Sequence, residues 1–136
     1  MLATVEKIIY FSFMEFFDFL MHGIHISLVL FVLFGAFHKP WVKAHFYCIV
    51  LIWLSWLVLG AYVGTLGYCP LTQWHWQIKE NMGEYNLPPS YIEYVYTYFT
   101  GKDIEDKVMS NIIAGVMLLV TIFSSFRFFR LKKAYA

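Results

Sequence analysis

Apolar residues crowd into three stretches, at about 8–37, 45–66 and 108–130, each interrupted by few charges. About 20 apolar residues cross a hydrocarbon core, where backbone polar groups must pair within their own segment, so each stretch predicts a transmembrane helix. The first run, at about 1.5 Å per residue, reaches roughly 45 Å against a core of about 30 Å. Its opening turns therefore lie at the interface, or the helix tilts. The run is also too long for the apolar segment of a signal peptide, and no small-x-small cleavage site follows it. Some forty residues separate the second and third spans, too many for an empty loop. Pro70 suits a helix start, Leu71, Trp74, His75 and Ile78 recur on one face, and Gly83 ends the element. Pro88 and Pro89 open a second element with the stripe Tyr91, Ile92, Tyr94, Val95, Tyr98 and Phe99. These predict short amphipathic helices at about 70–82 and 89–100, lying at the interface where Tyr and Trp favour a wet edge. Asp103 is expected to cap the last span, with Glu105 and Asp106 favouring its N-terminal dipole. The fold class is thus an all-α integral membrane protein, a single membrane domain over residues 1–136 with three transmembrane helices and two interfacial ones.

Composition agrees with the pattern. Hydrophobic residues make up 60% of the chain and charged ones 14%, against about 25% charged in soluble domains. Too little polar material is present to coat a water-soluble surface, which excludes a soluble enzyme and a disordered tail. The net charge of +1 gives no electrostatic footprint for nucleic acid. The lipid bilayer is the first partner.

Lysines and arginines set the expected orientation. The turn between the first two spans carries Lys39 and Lys43 with no acid, and the end of the chain carries Arg127, Arg130, Lys132 and Lys133. The long connection carries Lys79, Lys102 and Lys107 against Glu80, Glu84, Glu93, Asp103, Glu105 and Asp106. The expectation is a multi-pass protein of a bacterial inner membrane, N-terminus and long connection in the periplasm, C-terminus in the cytoplasm.

Glu15, Asp18, His22 and His25 follow one another at offsets of 3, 4 and 3, within a helical arc of roughly 80°. Ionisable groups in a span turn toward protein or water. Two His with two carboxylates suit zinc or another divalent transition metal, and such a row also suits proton transfer. The simpler alternative places the acids among headgroups and the histidines in hydrogen bonds to a neighbouring helix or subunit. His45, Cys69 and His75 are further candidate metal or structural residues, and a site joining Asp18 or His22 with Cys69 and His75 is sterically conceivable. A haem held by His25 and His45 is disfavoured because the two sit at different depths, which leaves a haem with one protein ligand or one shared between subunits. Cys48 and Cys69 are separated by roughly 31 Å of helix, against about 7 Å for a disulfide. Gly60 and Gly64 form G-x-x-x-G, a candidate helix-packing face.

Cys69-Pro70-Leu71-Thr72 resembles the signature of a bacterial membrane family known only as a domain of unknown function (twenty-seven eighty-four). The resemblance extends through His25 and the apolar run to Gly35, through His45, Trp53 or Trp56, and through Tyr91-Ile92-Glu93-Tyr94. It implies the helical bundle and points to His25, His45 and Cys69, without an activity. Two positions depart from the pattern: His75 stands where an acid is usual, and Lys79 where an Arg is usual.

Three spans are few for a private pore, so the expected role is an accessory or scaffolding subunit of a larger membrane complex without catalysis of its own, partnered by other subunits or by copies of itself. The alternatives are a metal- or haem-binding redox protein using the first-span row, and a small proton-coupled transporter. No cofactor is assigned by the sequence beyond those metal and haem alternatives.

Overall fold

A computed structural model describes residues 2–134. Helices α1 (Leu2–Phe34), α2 (Val42–Leu54), α3 (Gly60–Val63), α4 (Pro70–Asn81), α5 (Tyr91–Thr100) and α6 (Asp106–Ala134) carry the chain. Two 3₁₀ turns, Gly35–Phe37 and Lys39–Trp41, join α1 to α2, and a π-helical turn, Ser55–Leu59, joins α2 to α3. Three segments are long and apolar enough to cross a membrane: Ile9–Phe37, Lys39–Val63 and Asp106–Lys133. Phe19, Leu51 and Ile122 on them are 79%, 65% and 67% exposed, as surfaces turned toward hydrocarbon require. The protein is an all-helical membrane protein.

The interfacial segments fold as helices close to their expected bounds, with differences at the starts. Ser90, not the proline pair, caps α5: its Oγ accepts from the Glu93 N–H at 3.2 Å, a side-chain substitute for a missing helical carbonyl. The last helix begins at Asp106 rather than behind an Asp103 cap, and the Glu105 carbonyl accepts from the N–H groups of Val108 and Met109 at 2.8 and 3.1 Å.

Contacts fall into two compact units. One joins the residues of α1 up to Ser27 with Pro70–Lys102. Its buried side chains are unusually polar: Met21, Trp76 and Tyr91 lie among His25, Thr72, His75, Lys79 and Glu93. The other joins Leu28–Cys69 with the residues from Asp103 onward, around Val32, Ile49 and Met117 with Leu28, Ile52, Trp53, Trp56 and Val120. Trp53 Nε1–H donates to Thr121 Oγ1 at 2.9 Å, and Phe46 stacks on Phe128 with centroids 4.3 Å apart.

His45 is fully buried in this second unit. The Val32 carbonyl, 2.8 Å from Nε2, only accepts, so Nε2 carries the hydrogen and Nδ1 accepts from the Ser124 hydroxyl at 2.8 Å. Gly35 makes room for the ring, since a Cβ there would meet His45 Cδ2 at 2.8 Å and the Phe31 ring at 2.9 Å.

Gly60 and Gly64 have a local use. Gly64 ends α3 in the left-handed region, φ +85°, and a Cβ on Gly60 would meet the Thr65 carbonyl oxygen at 2.8 Å. The chain hooks back at this point. Thr65 N–H donates to Gly60 O at 2.8 Å, Gly67 N–H to Trp56 O at 3.2 Å, and Ser55 Oγ–H to Tyr68 O at 2.9 Å. Gly60 thus serves a close approach of the chain to itself, and Gly64 the left-handed turn that brings it about.

Candidate functional site: an acid–histidine–lysine cluster

The first unit places Asp18 and His22 one turn apart on α1, and α4 brings His75 and Lys79 to them from one face. The buried face of α4 is Thr72, His75, Trp76 and Lys79, while Trp74 is 62% exposed. The periodicity is the expected one, but its phase is displaced by one residue from Leu71, Trp74, His75 and Ile78, because this face is held by polar contacts as well as apolar ones.

Asp18 is the hub. Its Oδ1 accepts from His75 Nε2–H at 2.8 Å and lies 3.2 Å from the Lys79 ammonium. Its Oδ2 lies 3.7 Å from His22 Nε2. On its other side the His22 ring pairs Nδ1 with the Tyr91 hydroxyl at 3.0 Å. Donating Nε2–H to Asp18 leaves His75 Nδ1 as an acceptor, and this buried atom has no hydrogen-bond partner among the described residues. His25 stacks on Tyr91, centroids 4.1 Å apart, and on His75 at 5.2 Å. Its Nδ1–H donates to Met21 O at 3.0 Å, and Nε2 accepts from Thr72 Oγ1 at 3.4 Å.

Glu84 reaches the cluster through the end of α4. Gly83, at φ +92°, turns the chain so that Gly83 N–H bonds Glu80 O and Glu84 N–H bonds Lys79 O, each at 3.0 Å, a Schellman-type closure. The Glu84 carboxylate then accepts twice from Lys79 Nζ, at 3.1 and 3.2 Å. Lys79 also lies over the Tyr94 ring, 4.9 Å from its centroid, and Trp76 Nε1–H ties the following loop to α4 through Pro88 O at 2.8 Å.

Burial drives the His75 imidazole down to about 4, against the opposing pull of Asp18. Burial acts on Lys79 in the same sense, but its contacts with Tyr94, Glu84 and Asp18 outweigh it and hold the ammonium up at about 12. Burial, with Tyr94 and Asp18 nearby, raises the Tyr91 phenol. The cluster therefore holds a neutral imidazole and a firmly charged ammonium on one carboxylate.

Asp18, His22 and His75 each offer one ligand atom, and these atoms lie within 4.8 Å of one another. Two imidazoles and a carboxylate form a donor set suited to zinc and neighbouring divalent ions. Of the row expected on the first span, Asp18 and His22 join the cluster, and His25 packs against it with both nitrogens used. Glu15 is exposed. His75 joins them, whereas His45 and Cys69 belong to the other unit. With both His45 nitrogens engaged, neither presents a free lone pair to a haem iron. Cys48 and Cys69 are free thiols. Glu84 and Lys79 are the members that the sequence reading did not place in a site; the Lys79-to-Glu84 spacing across Gly83 was the available signal.

The fold and cluster define a class: a helical membrane protein with a polar centre built between one span and a short adjoining helix. A family profile described as Protein of Unknown function (DUF2784) matches residues 15–128, and the chain belongs to this family. No match was found among curated proteins or among solved structures.

Proposed function

We propose that this chain is a metal-binding subunit of a bacterial inner-membrane assembly, holding a divalent transition-metal ion with Asp18, His22 and His75. The convergence of three donor groups from two helices, ligand atoms within 4.8 Å of one another, carries the reading. The Tyr91 hydroxyl on His22 is the kind of outer contact that fixes a ligating ring. Three protein donors leave a fourth position open in a tetrahedral site. Lys79 is the competitor: an ion must share Asp18 with its ammonium or displace it toward Glu84. The excess of Lys and Arg around Lys39–Lys43 and at the C-terminus supports a cytoplasmic location for those ends, with α4 and α5 on the periplasmic side.

Elemental analysis of protein purified without chelator tests the reading, together with Co²⁺ titration followed by its visible absorption. One ion per chain and a tetrahedral Co²⁺ spectrum are expected, both lost in the Asp18→Asn, His22→Ala and His75→Ala variants. Absence of stoichiometric metal, with Co²⁺ titrations identical in wild type and variants, overturns it. A second reading, an accessory subunit with no metal, is favoured by one observation: Lys79 already balances Asp18 at 3.2 Å, so the cluster closes α4 onto α1 without an ion.

A further inference from the structure

The second unit carries a groove of about 850 Å³ at its lysine-rich end, within the range of about 300–1,000 Å³ for small-molecule sites. Lys39, Lys43 and Lys132 line it together with Tyr47, Phe128 and Leu131, and no acid among the described residues does. Among the described residues none of these lysines is held in an ion pair. Lys39 opens one membrane-crossing segment and Lys132 lies one residue from the end of another, so the charges sit where headgroups would. Tyr47 and Phe128 stand edge to face, centroids 6.1 Å apart, and with Leu131 give the groove an apolar wall.

We infer that this groove is a binding site for one anionic phospholipid, its phosphate received by Lys39, Lys43 and Lys132 and an acyl chain laid along Tyr47, Phe128 and Leu131. Charge complementarity selects the occupant. Three unpaired ammonium groups at the end of the spans recruit a phosphate diester lacking a compensating cation, and a zwitterionic lipid brings its own cation. The apolar wall selects a lipid over a free anion. The inference is independent of the metal reading, since it uses none of the cluster's residues.

Native mass spectrometry of the full chain, released from nanodiscs of mixed phosphatidylglycerol and phosphatidylcholine, tests it. Wild type is expected to retain one phosphatidylglycerol and no phosphatidylcholine. At roughly fivefold per lysine near an anionic surface, replacing all three with Gln should weaken retention on the order of a hundredfold. Lys→Arg at the same positions should preserve it. Arg130→Gln with Lys133→Gln, which removes two charges outside the groove, should leave retention intact. Equal retention by wild type and the triple Gln variant overturns the site, as does equal loss in the Arg130–Lys133 control. Displacement of the lipid by millimolar inorganic phosphate overturns the lipid assignment. Loss of an oligomer without loss of lipid in the triple variant assigns the groove to a second copy, and also overturns it.

Discussion

Lys79 on α4 holds its ammonium 3.2 Å from Oδ1 of Asp18 on α1, in a position where its side chain is 2% exposed. The pair sets the electrostatics of the first unit, and it makes Lys79 the internal rival of any cation that Asp18 binds. Like charges a few ångströms apart repel by several kcal/mol at an effective dielectric constant of about 20. Lys79→Met, paired with Glu84→Gln so that no acid is stranded, should therefore tighten Co²⁺ or Zn²⁺ binding at least about tenfold. Competition titration with a chromogenic chelator measures this, and unchanged or weaker affinity contradicts the rivalry.

Stability of the metal-free protein should show two pH limbs. His75 titrates at about 4 in the fold, against 6.5 ordinarily. The unfolded chain thus binds the extra proton between those values, and stability falls as pH drops through that window. Lys79 behaves oppositely: held at about 12 against 10.5, its contribution is complete below 10.5 and is lost as pH rises toward 12. Thermal unfolding in detergent with a chelator, taken across pH, should give a plateau between the limbs. His75→Gln should flatten the acid limb, and an unaltered one would show that another group causes it.

Gly35→Ala should destabilise the second unit by about 1–3 kcal/mol, because the added carbon would crowd His45 Cδ2 at 2.8 Å. Ser124→Ala removes the hydroxyl donor to the His45 ring and should cost about 1–3 kcal/mol. The two changes disturb one histidine from different sides, so their effects should fall short of additive in a double-mutant cycle. Strict additivity of the melting shifts would refute the shared dependence.

Ser90→Ala should cost about 1 kcal/mol through α5, since its Oγ caps the start of that helix. Ser90→Asp should restore most of the loss. Hydrogen exchange at Glu93 N–H and its neighbours reports this directly, and unchanged protection in Ser90→Ala argues against the cap.

The three spans were legible because lipid leaves so few solutions: long apolar runs must be helices, and Ile9–Phe37, Lys39–Val63 and Asp106–Lys133 satisfy that test. The clustering of Asp18 and His22 was legible for the same reason, as ionisable groups on one helical face need company. The phase of α4 was not. Hydrophobicity ranks Trp74 above Lys79, and only a partner such as Asp18 on another helix makes the lysine the better residue to bury. The Ser90 cap was visible in principle as Ser-x-x-Glu before an aromatic run, but the adjacent prolines offered a competing start. His45 could be singled out from the sequence, whereas its satisfaction by Ser124 and Val32 depends on side-chain register that no single-chain pattern specifies.

The hook after α3 has a bearing on where water stops. Its backbone and hydroxyl donors close onto Gly60, Trp56 and Tyr68, and a bend that quenches its own polarity tolerates hydrocarbon far better than an open loop. Tyr62 and Leu66, which are 89% and 75% exposed, would then present their side chains to acyl tails. Spin labels there should relax with dissolved oxygen more readily than with an aqueous nickel chelate, marking the bend as submerged.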